Sequence, residues 1–331
     1  MKQLYFAMVN FQRRADSMRS FFGYQLEYVP PLTRAKWTKP FGYVVQCARM
    51  LNLVLKEQPD IVWLQLPPTF LPHFFRLVRL VSPKKFKIAA DCHNATFAEP
   101  WVKMPGLVGE LNKMDLVVAH NAEVAKAAAA LGVDPARLRV LETRPAQLQG
   151  VSAAEADARD GRPVIVIPCS FKADEPISII AEAARLLPEA RFVVTGGNRL
   201  SAEQLARYKA EAPANLEYAG YLATDAFNRL ILSCSALVGL TTQEGIQLSV
   251  ANEAVGAGRP MVLSDTRILR DLFGAAAVFC ANTGQGLAEA CREAIANGDE
   301  LAARSRALRD AREARWQAQA REAGALIGLM P

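Results

Sequence analysis

The sequence is more informative at first for what it lacks. Its 331 residues contain no apolar run approaching 18, so no segment is expected to span a membrane. The six cysteines (47, 92, 169, 234, 280 and 291) form no CxxC pair. Most lie in or beside apolar runs, which predicts buried free thiols in a reducing cytoplasm, not disulfides. Histidine occurs only three times, at 73, 93 and 120. No Asp-x-Asp pair, no RNA-binding motif and no solenoid repeat is found. The glycine-rich loop that often follows a first strand is missing; Asn10-Phe11-Gln12-Arg13-Arg14 stands there instead. Those arginines also interrupt the short N-terminal apolar stretch, and no small-residue cleavage site follows, so a secretory signal is not expected.

Hydrophobic residues make up 51% and charged residues 22%, the balance of a globular chain with a large core. The length suggests two domains. The net charge of +6 is unevenly placed. Residues 1–90 hold fourteen Lys/Arg and four acids, so this third of the chain carries +10 and the remainder −4. A basic front half calls for an anionic partner: nucleic acid, acidic lipid or a phosphorylated substrate.

Short apolar runs alternate with helical patterns. Leu4–Val9, Gln25–Val29, Ile61–Leu66, Phe86–Ala90, Leu116–Ala119 and Leu138–Leu141 read as strands of a first half. Val164–Pro168, Arg191–Thr195, Leu216–Ala219, Ala236–Leu240, Pro260–Leu263 and Ala277–Phe279 read as strands of a second. The alternation predicts βαβ units and parallel sheets buried on both faces. Twelve strands exceed what one open sheet usually holds. The polar stretch 146–163 reads as a linker, and the Ala/Arg/Glu-rich stretch 300–329 as a long terminal helix. The expected fold is α/β, two Rossmann-like domains (1–147 and 148–331) facing a cleft, the second carrying the C-terminal helix. Ligands of such sheets bind at the carboxyl ends of the strands.

The most informative segment is 240–262, LTTQEGIQLSVANEAVGAGRPMV: strand, polar turn, helix, strand. A Ser/Thr-rich turn entering a helix offers free N–H groups and a positive dipole end to a phosphate. Glu244 and Glu253 bracket the turn and could accept from sugar or ribose hydroxyls. The alternative is that Thr241, Thr242 and Ser249 cap helices and Glu253 is solvated. In the first half, Ala89–Thr96 places Asp91 and His93 at the end of a buried strand, where a carboxylate could act as a base. His93 read alone is equally an interior hydrogen-bonded histidine, and His120-Asn121 reads as a helix cap. Arg13 and Arg14 either hold an anionic acceptor such as a lipid diphosphate or form a solvated turn. Trp37, Phe41, Tyr43 and the stretch 67–75 interleave with Arg34, Lys36, Lys39, Arg76, Arg79, Lys84 and Lys85. That mixture favours an anionic membrane surface over single-stranded nucleic acid, with plain core plus solvated face as the alternative.

The segment Thr241–Gly245 with Glu253–Pro260 resembles the signature of GT-B glycosyltransferases of family four and relatives, with one residue more between the two glutamates. Asn215–Tyr221 and Phe192–Asn198 are similar to the family's strands near the nucleobase and phosphates. The resemblance implies that Glu244 approaches the donor sugar and that Glu253 binds the ribose diol. Thr242, Gln247 and Ser249 would meet the diphosphate, with Gly197 and Asn198 in the adjoining loop. Tyr221 would lie beside the base, and His93 beside the donor sugar. Of the family's paired cations after the first strand of this domain, only Lys172 remains, with Asp174 and Glu175 nearby, which marks a divergent branch.

The resemblance implies a metal-independent glycosyltransferase without cofactor, moving a sugar from a nucleoside-diphosphate donor to a lipid-linked or saccharide acceptor. Asp91, His93 and Glu244 are its expected catalytic residues, and Arg13 and Arg14 its expected acceptor contacts. It would be cytoplasmic, in bacterial cell-surface polysaccharide synthesis, with the N-terminal domain on an anionic membrane and no nucleic-acid partner. A GT-B sugar-nucleotide epimerase and a non-catalytic GT-B scaffold are the alternatives.

Overall fold

A computed structural model of the protein describes residues 1–32, 38–148, 161–197 and 200–329. Arg34, Lys36 and Trp37, most of the expected linker, and Asn198 lie outside the described residues. The chain divides into two compact units, Met1–Arg144 with Glu313–Pro331, and Pro145–Arg312.

The first unit holds six parallel strands: β1 (Gln3–Ala7), β2 (Gln25–Tyr28), β3 (Ile61–Leu66), β4 (Lys87–Cys92), β5 (Leu116–Ala119) and β6 (Leu138–Val140). They lie in the order β2-β1-β3-β4-β5-β6. β1, β3 and β5 are buried at every residue, as continuous apolar runs of a parallel sheet require. The helices α1 (Arg13–Phe22), α2 (Lys39–Glu57), α3 (Leu71–Val81), α4 (Leu107–Leu111) and α5 (Ala122–Ala130) connect them. One sheet face packs Phe6, Leu64 and Ile88 against Met50 of α2, Phe75 of α3 and Leu111 of α4. The other packs Tyr5, Trp63 and Val118 against α1.

The second unit repeats the plan with β7 (Val164–Cys169), β8 (Arg191–Gly196), β9 (Leu216–Gly220), β10 (Ala236–Gly239), β11 (Met261–Ser264) and β12 (Ala277–Cys280). Their order is β12-β11-β10-β7-β8-β9, all parallel. Its helices are α6 (Ser178–Leu186), α7 (Ala202–Glu211), α8 (Thr224–Ser233), α9 (Ser249–Ala257), α10 (Arg267–Phe273), α11 (Gly284–Ala296) and α12 (Gly298–Leu326). α6 and α11 cover one face, and α8, α9 and α10 the other.

All twelve expected strands are present, and the two Rossmann-like sheets and the long terminal helix are as the alternation predicted. The units differ from the expected division at the C-terminus. The end of α12 joins the first unit, because Trp316, Ala320, Ala323 and Ile327 are buried in the same core cluster as Tyr5, Met18 and Trp63. The Trp316 ring meets Phe21 edge-on at 5.1 Å, and Arg144, at 4.6 Å over that ring, pairs with Glu313 at 2.6 Å. No described helix is long and apolar enough to cross a membrane.

Each sheet has a point where successive connections depart in opposite directions. In the first it lies between β1 and β3; in the second, between β7 and β10. The loops at the carboxyl ends of those strands border the crevice where ligands of open α/β sheets bind.

Candidate active site

In the first unit, the sequence-predicted residues converge on Asp91. It is the fifth residue of β4, fully buried, opposite Gln65 of β3. The Tyr5 hydroxyl donates to Oδ2 at 2.7 Å. Arg14 reaches both oxygens: Nε lies 3.2 Å from each, and Nη2 3.0 Å from Oδ1. His120 Nε2 is 3.2 Å from Oδ1. Burial alone would raise the Asp91 carboxyl, but Arg14, then His120, hold it well below the usual carboxylate range.

The same cluster keeps its imidazoles neutral. Burial, with His120 as neighbour, lowers His93 to about 3. Burial and Arg14 lower His120. The two rings meet edge-on with centroids 4.0 Å apart. The guanidinium cancels the Asp91 charge, so little field remains to favour an imidazolium.

Two expectations change here. Arg14 neither contacts solvent nor is free to hold an acceptor. It is buried in α1, and its remaining N–H groups donate to the Leu141 and Glu142 carbonyls at 2.8 and 2.7 Å. Asp91 was expected as a base, but its oxygens are occupied by three partners. Its place in the cluster is that of an anchor. His120, read as part of a helix cap, belongs to the cluster, while Asn121 does cap α5 by accepting from Val124 N–H at 2.8 Å. Arg13 opens α1, half-buried, with its guanidinium 5.1 Å from the Phe11 ring. Asp91, His93 and His120 each offer one ligand atom within a 4.8 Å group. Arg14 already supplies the positive charge that a cation there would bring to Asp91.

In the second unit, the loops after β7 and β10 are tied together. Thr241 Oγ1 donates to Asp174 Oδ2 at 3.1 Å, and the Thr242 N–H donates to the Asp174 carbonyl at 2.7 Å. Neither threonine caps a helix. Asn282 Nδ2 donates to the Thr241 carbonyl at 2.9 Å, and Ser264 Oγ accepts from the Thr241 N–H at 2.9 Å, so β10, β11 and β12 end in one polar lattice. Ser249 is the first residue of α9, whose N-cap, Leu248, supplies no side-chain hydrogen bond. The first N–H groups of that helix therefore lack side-chain caps. Glu253 lies half-buried on α9. Thr242, Gln247 and Lys172 are exposed, and Tyr221, just past β9, is 69% exposed.

Glu244 is exposed in the loop between β10 and α9. Its carboxylate accepts the Arg267 N–H at 3.1 Å, at the start of α10. With Gly245, Arg267, Ile268 and Asp271 it lines a cavity of about 440 Å³. Gly197 has φ +90° and Gly196 φ +99°. A Cβ on Gly196 would meet the Cys169 carbonyl oxygen at 2.0 Å, so this glycine serves the close approach of the ends of β7 and β8.

Sequence reasoning missed Tyr5 and Asn282, and it named His120 and Asp174 without their partners. Each is a single polar residue whose partner lies far away in sequence, and only strand order brings them together.

Comparison with known proteins agrees with this architecture. Residues 162–297 match the family model described as glycosyl transferases group 1. By sequence, no curated protein matches the chain. HepE of Anabaena, solved in complex with UDP-glucose, superposes with a TM-score of 0.67 at 12% identity, over 99% of this chain and 98% of that one. Sucrose-phosphate synthase of Thermosynechococcus elongatus gives 0.63 at 13% identity, over 99% and 96%. The lipopolysaccharide outer core galactosyltransferase WaaB, in apo form, gives 0.54 at 13% identity, over 97% and 99%. The chain has the GT-B fold, and the greater part of its second unit matches the group 1 glycosyl transferases.

Proposed function

We propose that this protein is a glycosyltransferase that moves a sugar from a nucleoside-diphosphate donor to a lipid-linked or saccharide acceptor in bacterial cell-surface polysaccharide synthesis. One observation carries the reading. The segment matching the group 1 glycosyl transferases contains the whole loop system at the switch point of the second sheet.

In this reading the diphosphate lies at the uncapped start of α9, near Ser249, Thr242 and Gln247, with Lys172 as its cation. Glu253 binds the ribose diol, and Tyr221 lies beside the base. Gly197 and Asn198 border the phosphates, and Glu244 lies toward the donor sugar. The acceptor oxygen bonds to the anomeric carbon as the bond from that carbon to the diphosphate breaks. His93 is neutral, so it can accept a hydrogen bond from the acceptor hydroxyl. Burial keeps it the neutral partner of that hydroxyl, whose proton ends on the departing diphosphate or on solvent. Asp91 is a positioning residue for the histidines. No metal or cofactor takes part in these roles. The acceptor is met at the inner face of the cell membrane, through the basic first unit.

A thermal-shift screen against UDP, GDP and their sugars tests the reading, since a ligand that binds only the native state raises its melting temperature. The expected result is a shift with one base and its sugars, lost in Glu253→Ala. No shift with any of them overturns the enzyme. A nucleotide sugar converted without consuming an acceptor would indicate the epimerase instead.

A further inference from the structure

The loop that follows β7 carries an anion of its own. Glu175 Oε1 accepts from the Ser170 N–H at 3.2 Å and from Ser170 Oγ at 2.5 Å, while Oε2 accepts from the Phe171 N–H at 2.7 Å. Two successive backbone donors pointing at one carboxylate form an anion-binding concavity. It is held open by Phe171, whose φ of +54° lies in the left-handed region that non-glycine residues seldom adopt. Glu175 has no ion-pair partner among the described residues, so the loop's own N–H and O–H groups are what hold its charge. Asp174, its neighbour, is engaged with Thr241 and Thr242. Lys172, in the same loop, is exposed and makes no ion pair among the described residues. The concavity sits at the carboxyl end of β7, one of the two strands at the switch point.

We propose that Glu175 is a built-in competitor for the donor diphosphate: its carboxylate fills the concavity of loop N–H groups, and a nucleoside diphosphate enters by displacing it. The proposal rests on the nucleotide-binding reading of the second unit. A diphosphate bears more charge than a carboxylate and is the stronger acceptor, and Lys172 is free to follow it. The displaced Glu175 remains nearby and repels it. The chain thereby limits its own affinity for the donor and, more so, for the diphosphate product. Retention of product is weakened, which favours turnover where release is slow.

Calorimetric titration of the full chain with UDP, GDP and inorganic pyrophosphate tests this, using wild type, Glu175→Gln and Ser170→Ala. Glu175→Gln leaves a neutral, weaker acceptor and should tighten one nucleotide and pyrophosphate about tenfold or more. Ser170→Ala removes one hydroxyl donor from the carboxylate without touching the backbone and should tighten both a few-fold. Unchanged or weaker binding in both variants, with melting temperatures retained, overturns the proposal and makes Glu175 a loop buttress. If Glu175→Gln fails to fold, Ser170→Ala alone decides. If pyrophosphate tightens while neither nucleotide binds any variant, the competitor stands and the nucleotide reading falls. No binding of any ligand to any variant overturns both.

Discussion

Arg14 and Asp91 stand 77 positions apart in sequence, yet the guanidinium contacts both carboxylate oxygens at 3.0–3.2 Å with the two side chains almost wholly buried. The pair joins the start of α1 to the end of β4, and Arg14 also ties in the chain just past β6. Removing one partner leaves a buried charge without its counterpart. Asp91→Asn should therefore cost about 3–5 kcal/mol, read from urea unfolding, and Arg14→Met a similar amount. The double variant Arg14→Met/Asp91→Asn should be less destabilised than the two losses added together. Strict additivity would show that the pair is not coupled.

The histidines set a pH dependence. In the folded chain His93 stays unprotonated down to about pH 3, while unfolded it takes a proton near its ordinary 6.5. Between those values the unfolded state binds more protons, so stability rises with pH and falls as the pH drops from 6.5 toward 3. From pH 7 to 5 the loss should be about 2 kcal/mol for His93, and His120, lowered in the same direction, adds to it. Urea midpoints across pH 4–8 measure this. His93→Gln should flatten the slope, and an unaltered slope in that variant would assign the effect elsewhere.

Two glycines with positive φ should respond differently to alanine. Gly196→Ala places a Cβ against the Cys169 carbonyl oxygen, a backbone atom fixed in β7, and should cost about 3 kcal/mol or more. Gly220, with φ +74°, has nothing within 4 Å of its would-be Cβ. Gly220→Ala should cost only the backbone strain, about 1 kcal/mol. Denaturant midpoints of the two variants give the comparison directly.

The membrane attachment in the proposed function predicts an exposed apolar and basic face on the first unit. Of thirteen exposed large hydrophobic residues among the described residues, seven lie on α2 and α3: Phe41, Val44, Val45, Leu55, Leu77, Leu80 and Val81. Both helices cover the same face of the first sheet, and Arg49, Lys56, Lys84 and Lys85 are exposed on or just beyond them. Apolar and cationic groups together suit an anionic bilayer. The protein should sediment with vesicles rich in phosphatidylglycerol and not with neutral phosphatidylcholine. Phe41→Ser/Leu80→Ser should lower that binding several-fold, and elevated salt should weaken it. Equal sedimentation with both lipids, or none, would leave this face without its proposed partner.

The strands were legible because their burial pattern is local. A parallel strand covered on both faces must read as a short apolar run, and β1, β3, β5 and β10 do. The loop-to-helix segment at 240–258 was legible for a similar reason. Gly258 takes φ +63° at the end of α9, with the Arg306 side chain packed close over it, and the next strand begins three residues later. Thr241 and Thr242 were visible as polar residues of this turn, but their partner was not, because Asp174 lies 67 residues earlier in a different loop.

The sequence by itself determined the two α/β halves, the terminal helix, the basic front and the loop system of the second half. Each depends on hydrophobic period, composition or local turn chemistry. Tertiary structure alone decided which polar groups face one another. It put Arg14 and His120 on Asp91, tied Thr241 to Asp174, and joined Trp316 to the core of the first unit. Side-chain partnership follows from strand order, and strand order comes from packing among distant segments, which no local pattern records.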